Sequence, residues 1–155
     1  GLLVSINAFS QSRYNLFYEK GLGMNSGAEN IASTHYLWQN FDNHFIPKEL
    51  KTDSRIANVS FRLGKLFLLD YPLVFVLPTI QHEKFGHGSR VKEFGGTIEE
   101  LNITLPPPFQ SELPYISYST NEITSIQQDL MIYAGGSEAN IILSDIVRKN
   151  ILLEN

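Results

Sequence analysis

Residues 82 to 90 read HEKFGHGSR, and residues 134 to 140 read AGGSEAN. His82 and His87, with Glu83 beside the first, are residue types that hold a divalent transition metal and move a proton. Zinc hydrolases often take two ligands from one helix, with histidines four apart and a glutamate next to the first. Four residues advance an α-helix by about 400°, which leaves the two rings about 40° apart and able to meet one ion. Here the spacing is five, an advance of about 500°, so on a regular helix His82 and His87 diverge by about 140°. An ideal helix cannot bring both to one metal. A single-residue π-bulge would absorb the extra residue, and such bulges tend to occur at functional sites. Alternatively the helix ends at Gly86 and leaves His87 on an irregular turn, or it stays regular and Glu83 and His87 become the four-apart pair. Gly86 and Gly88 make the backbone permissive there and favour the bulge or the turn.

A further ligand is then needed, with one position left open to water if the site is catalytic. The candidates are Glu138, Glu93, Asp129 and Asp145, with His35 and His44 further off. Glu138 stands out because it begins a predicted helix behind Gly135 and Gly136, where little side-chain bulk obstructs close approach. His82, His87 and Glu138 would form a set suited to zinc, with Glu83 as the general base. The rival reading is a non-catalytic protein that keeps a degenerate metal or polar site for structure or partner binding. Lys84 and Lys92 read as the solvated face of the motif helix. Arg90 can orient a substrate carboxylate or phosphate, or brace Glu93 or Glu138. No Ser-His-Asp order and no glycine-rich phosphate loop is present.

The order of HEKFGHGSRVKEFGG, an extended polar segment and AGGSEAN opening an apolar helix resembles the membrane-embedded metalloproteases of the site-2 protease type. The likeness runs over residues 66–150. It departs from that family in the extra residue of the His-Glu motif, in Gly136 where the family has proline, and in lacking the later aspartate motif that supplies a ligand there. Glu138 is similar to the downstream glutamate of the glutamate-ligand zinc peptidases. What the resemblance implies is a zinc-dependent peptidase acting on a peptide or protein substrate and associated with a membrane. It also implies that Asn140 hydrogen-bonds the substrate backbone; the residue reads equally as one that caps or cross-links helices.

The elements that must position these residues read as mainly helical, with a small β element between a zincin-like motif helix and a second, ligand-bearing helix. SGAE at 26–29 matches a capping box, so a helix is expected from about Gly27 to Asn43, with Ile31, Trp38, Phe41 and Phe45 on or near one face. His35, Tyr36 and Trp38 form an aromatic group that reads as core packing. Apolar density from Ile56 to Val76 predicts a second helix that Pro72 would kink or stop, and Thr79 can cap a third running from Ile80 to about Phe94. Gly95-Gly96 should end it. Residues 97–105 and YISYS at 115–119 read as extended, separated by Pro106 to Pro108. Ser119 to Glu122 forms another capping box. Gly135-Gly136 should break or bend the following helix, after which Ile142, Ile146, Val147 and Ile151 face inward.

Composition narrows the classes. At 155 residues the chain fits one domain, alone or as a piece of a larger membrane-associated protein. A hydrophobic fraction of 43% and a charged fraction of 18% describe a folded chain. The net charge of -4, with Lys and Arg scattered, gives no footprint for nucleic acid. With no cysteine, any metal must be held by His, Asp and Glu. A chain opening on Gly1 is expected to be processed or trimmed. GLLVSINAFSQS resembles either the tail of a signal peptide or first membrane helix, or a buried first strand. Leu66 to Ile80 is the most apolar run; it is shorter than a membrane helix needs and contains Asp70, Pro72 and Pro78, so it reads as a buried core segment or a membrane-dipping one. Asp70 inside it must find a partner or water, with Arg62, Arg90 and the motif histidines as the candidates. Membrane or envelope association is the expectation, with a soluble exported protein as the alternative.

Overall fold

The computed structural model describes residues 2–4, 16–18, 23–48, 50, 54–120 and 125–153. It is mainly helical with small antiparallel β pairs. Strands β1 (Leu2–Val4) and β2 (Leu16–Tyr18) pair with each other. Helix α1 (Met24–Phe45) follows, then helix α2 (Arg55–Glu93), strands β3 (Thr97–Asn102) and β4 (Tyr115–Ser119), and helix α3 (Ile126–Leu153).

Helix α1 begins at Met24, earlier than the Ser26 box suggests. Gly23 is its cap without a side-chain bond, and Ser26 and Glu29 lie inside the first turns. Its N-terminal half buries Gly27, Ala28, Ile31 and Ala32. These small residues let the backbone approach α2 closely: a Cβ on Gly27 would fall 2.6 Å from Phe85 Cδ2. Beyond Ser33 the helix leaves the core. Trp38, Phe41 and Phe45 stack on one another with ring centroids 5.8 and 5.0 Å apart, and Phe41 and Phe45 are exposed rather than buried beside Ile31.

Helix α2 is one continuous helix of 39 residues, where the sequence suggested two. The Ser54 hydroxyl caps its start by accepting from the Ala57 N–H at 3.3 Å. Proline in a helix lacks an N–H and its ring crowds the carbonyl four residues earlier. The turn before Pro72, Leu66–Asp70, is widened to π geometry, with the Tyr71 N–H donating to the Leu66 carbonyl. That widening opens the turn the Pro72 ring would otherwise crowd, so the helix continues. Thr79 does not cap a new helix; its hydroxyl donates to the Phe75 carbonyl at 2.8 Å, within the same one. The helix ends where the glycines predict. Gly95, at φ 76°, and Gly96 donate to the Lys92 and Val91 carbonyls at 3.1 and 2.8 Å, a Schellman ending.

The apolar run in α2 reaches the protein core only at its end, where Leu77 and Ile80 pack on it. Leu66, Phe67, Leu68 and Leu69 are all exposed, and four consecutive exposed apolar residues cover more than one face of a helix. The helix is long and apolar enough to cross a membrane, with a mean hydropathy of 1.6 over its best 18-residue window. Asp70 is satisfied by Trp38 Nε1 at 3.3 Å and Lys65 Nζ at 2.9 Å, not by Arg62, Arg90 or the motif histidines. Lys65 also meets Asp42 at 2.9 Å, tying α1 to α2.

Strands β3 and β4 pair antiparallel, with Glu99 as the extra residue of a bulge between Ile98↔Tyr118 and Glu100↔Ser117. Ile98 and Ile116 pack this hairpin on Gly88 of α2. Residues 121–124 lie outside the described residues, and with them Glu122 of the second expected capping box; Ser119 ends β4. The capping box that does form is Ser125 with Gln128: each backbone N–H donates to the other's side chain, at 2.8 and 3.3 Å. Helix α3 then runs unbroken through Gly135-Gly136. The core is Ala28, Ile31, Ala32, Phe85 and Leu143, with Ile142, Ile146 and Val147 packed on it; Ile151 is exposed.

The glycine pair marks an approach of two backbones. A Cβ on Gly86 would lie 2.6 Å from Gly136 Cα and 2.7 Å from the Gly135 oxygen, and neither can swing aside. Gly86→Ala should therefore destabilise the fold by about 1–3 kcal/mol. Gly64→Ala, where a Cβ meets nothing within 4 Å, should be neutral or stabilising by up to about 1 kcal/mol. Denaturant unfolding of the two variants, followed by circular dichroism, checks the opposite signs.

Candidate metal centre

The segment Gln81–His87 of α2 is a second π stretch. Its closing bond runs from the Gly88 N–H to the Glu83 carbonyl, five residues back instead of four. A five-residue repeat of the backbone bond puts residues five apart on the same side, which is the demand the His82 and His87 spacing made. The two rings meet with centroids 4.8 Å apart at an interplanar angle of 81°. Glu83, buried at 8% exposure, joins them: ligand atoms of His82, Glu83 and His87 all lie within 4.8 Å of one another.

Helix α3 forms the other wall and runs in the opposite direction. His87 meets Ile132, Gly86 meets Gly136, and His82 meets Asn140. Ile132, Gly136 and Asn140 are spaced four apart and share one helical face. The Ile132 carbonyl lies 2.7 Å from His87 Nδ1. A carbonyl can only accept, so Nδ1 carries the proton and Nε2 of His87 presents a lone pair. That Nε2 points to Gly136: a Cβ there would lie 2.6 Å from it, 2.6 Å from His82 Cε1, and in contact with His82 Nε2. The Nε2 edges of both rings therefore border one small space over the Gly136 α-carbon. Gln81, fully buried, fixes the assembly by donating to the Met24 carbonyl of α1 at 3.0 Å and the Ala139 carbonyl of α3 at 3.1 Å.

The other expected residues stand apart from this group. Glu138 is held by Arg90, whose Nη2 donates to its Oε2 at 2.5 Å while Nη1 donates to Glu93 at 2.7 Å. Two residues beyond Gly136, Glu138 is turned about 200° around α3, away from the face that meets the histidines. The bracing of Glu93 and Glu138 by Arg90 is the alternative that the sequence offered to a substrate contact. Lys84 and Lys92 are exposed. Asp145 pairs with Arg148 and Lys149 on the surface. His35 and His44 bond within α1, to Gln39 and to the Asn40 carbonyl. Ile132, with its backbone carbonyl, and Gly136 were missed as site residues; their signal was the four-residue spacing to Asn140.

These residues can bind a transition metal through imidazole nitrogen and carboxylate oxygen, the donor set that suits zinc. Comparison of the chain with known protein families, with curated sequences and with solved structures gives no significant match.

A methyl group at position 136 would occupy the space the two Nε2 atoms border. If that space holds a metal ion, Gly136→Ala should lose the metal that the parent retains after dialysis, as read by elemental analysis. Helical content by circular dichroism serves as the folding control.

Proposed function

We propose that this chain is a zinc-dependent hydrolase, most simply a peptidase, whose centre lies beside a membrane-crossing stretch of α2. The observation that carries the reading is the convergence of His82, Glu83 and His87 through the π segment. Widening a helix over seven residues sacrifices regular hydrogen bonding, and such departures are frequent at functional sites. The Nε2 edges of His82 and His87 border the same space over Gly136, which is where an ion held by both would sit.

A zinc ion bound there supplies Lewis acidity and lowers the pKa of a coordinated water. The chain's own contribution is to hold the rings, to exclude bulk solvent by packing α1 and α3 on the π segment, and to offer the Glu83 carboxylate as proton acceptor from the attacking water. Glu83 then returns the proton to the leaving amine. A peptide or protein substrate follows from the resemblance carried by HEKFGH and AGGSEAN.

Membrane association is supported by the apolar stretch of α2, long enough to cross a membrane and exposed at Leu66–Leu69, Tyr71 and Val74. The π segment that carries the histidines begins at Gln81, directly after that stretch in sequence. A second reading is favoured by Glu138 being engaged with Arg90. If Glu83 is itself the third ligand, no base remains beside the metal, and the site is structural.

One variant separates the two. Glu83→Gln is expected to keep zinc and to lose hydrolysis of a quenched fluorescent peptide in detergent micelles by about 10²–10⁴-fold. Loss of zinc from that variant would make Glu83 a ligand and favour the structural reading. Retained zinc with an unchanged rate would remove Glu83 from the chemistry. His82→Ala should abolish both zinc and activity.

A further inference from the structure

His82 and His87 are treated differently by helix α3. The Ile132 carbonyl fixes the tautomer of His87, as a backbone acceptor must. His82 Nδ1 instead faces an amide, with Asn140 Nδ2 at 3.1 Å. An amide can present either a donor or an acceptor, because a half-turn about its last bond exchanges the two ends. With Nδ2 toward the ring, Asn140 donates to Nδ1, and the proton of neutral His82 then sits on Nε2, facing the space over Gly136. No ion can be bound through a protonated nitrogen. In this orientation Asn140 Oδ1 is buried and has no hydrogen-bond partner; the half-turn puts Oδ1 on His82 Nδ1 and moves Nδ2 into that place.

Resting on the metal reading above, we propose that Asn140 is a positioning residue: its Oδ1 accepts from His82 Nδ1–H and so keeps the His82 Nε2 lone pair aimed at the ion. Asn140 and Ile132 then perform the same task for the two rings, one through a side chain and one through the backbone, from positions eight residues apart on a single face of α3. Metal-binding histidines commonly donate their second N–H to such an acceptor, which orients the ring and raises its basicity. The resemblance implied a contact between Asn140 and substrate. The geometry gives the side chain a different partner, and its free oxygen is buried rather than turned toward an incoming chain.

Two variants and one spectroscopic readout test the assignment. Asn140→Asp keeps an acceptor at the same place and should bind zinc at least as tightly as the parent. Asn140→Leu, of similar size and without an acceptor, should weaken zinc binding by about 10–100-fold. In the metal-free parent, ¹⁵N chemical shifts of His82, recorded well above the imidazole pKa, should show the proton on Nδ1; in Asn140→Leu the two tautomers should mix. Equal zinc affinity in Asn140→Leu and the parent would overturn the proposal, as would a metal-free parent with the His82 proton on Nε2. The nitrogen shifts need no metal, so they decide the role of Asn140 even if the parent proves unable to bind zinc, which would instead refute the metal reading.

Discussion

The arrangement at His82 depends on backbone hydrogen bonds that skip a residue over Gln81–His87, closed by the one from the Gly88 N–H to the Glu83 carbonyl. With the usual bond to the fourth residue back, the two motif rings would point about 140° apart. With the fifth, they face each other across 4.8 Å. The shift is tolerated because the widened turn is enclosed by close-packed partners. Phe85 is covered by α1 at Gly27, and Gly86 lies against the glycine pair of α3. Side chains at either place would hold the neighbouring helices away and leave the wide turn open to solvent. Glycines and π turn are therefore parts of the same constraint.

Helix α2 shows the same device twice. Its first π turn precedes Pro72, and its second lies after Pro78 and carries the histidines. Both lie in or next to an apolar stretch whose first half the rest of the described residues leave exposed. In water, four neighbouring exposed residues such as Leu66 to Leu69 would be a liability. In a bilayer they are ordinary, and prolines are tolerated in membrane helices when local π adjustments satisfy the backbone. Asp70 is the exception within this stretch. It reaches Lys65 on its own helix and Trp38 on α1, so its charge is paired and its polar atoms are used.

The legible parts of the sequence were those governed by local geometry. The spacing of His82 and His87 by itself demanded a bulge or a helix end, and the glycines around Phe85 favoured the first two of three solutions. Gly95-Gly96 and YISYS lie where their local chemistry says. The harder residues take their meaning from a partner far along the chain. Pro72 reads as a stop until a π turn accommodates it. Gly135-Gly136 reads as a break, since glycine weakens a helix, until Gly86 supplies a reason for having no side chain there. Glu138 had the right chemistry and the wrong phase: its neighbours at 136 and 140 face the histidines, and it faces Arg90. The mainly helical class survived these errors because joining two predicted helices into one does not change it.

Gln81 has a consequence that reaches beyond its own bonds. One buried amide joins α1, α2 and α3, next in sequence to His82. The motif histidine thus sits at the junction where all three helices are registered, so the shape of the centre reports the docking of the whole bundle. A ligand that binds only the docked arrangement stabilises it by mass action, by about 2.7 kcal/mol at a hundredfold excess over its dissociation constant. The same coupling means that the centre exists only where α3 is closed on the other two helices.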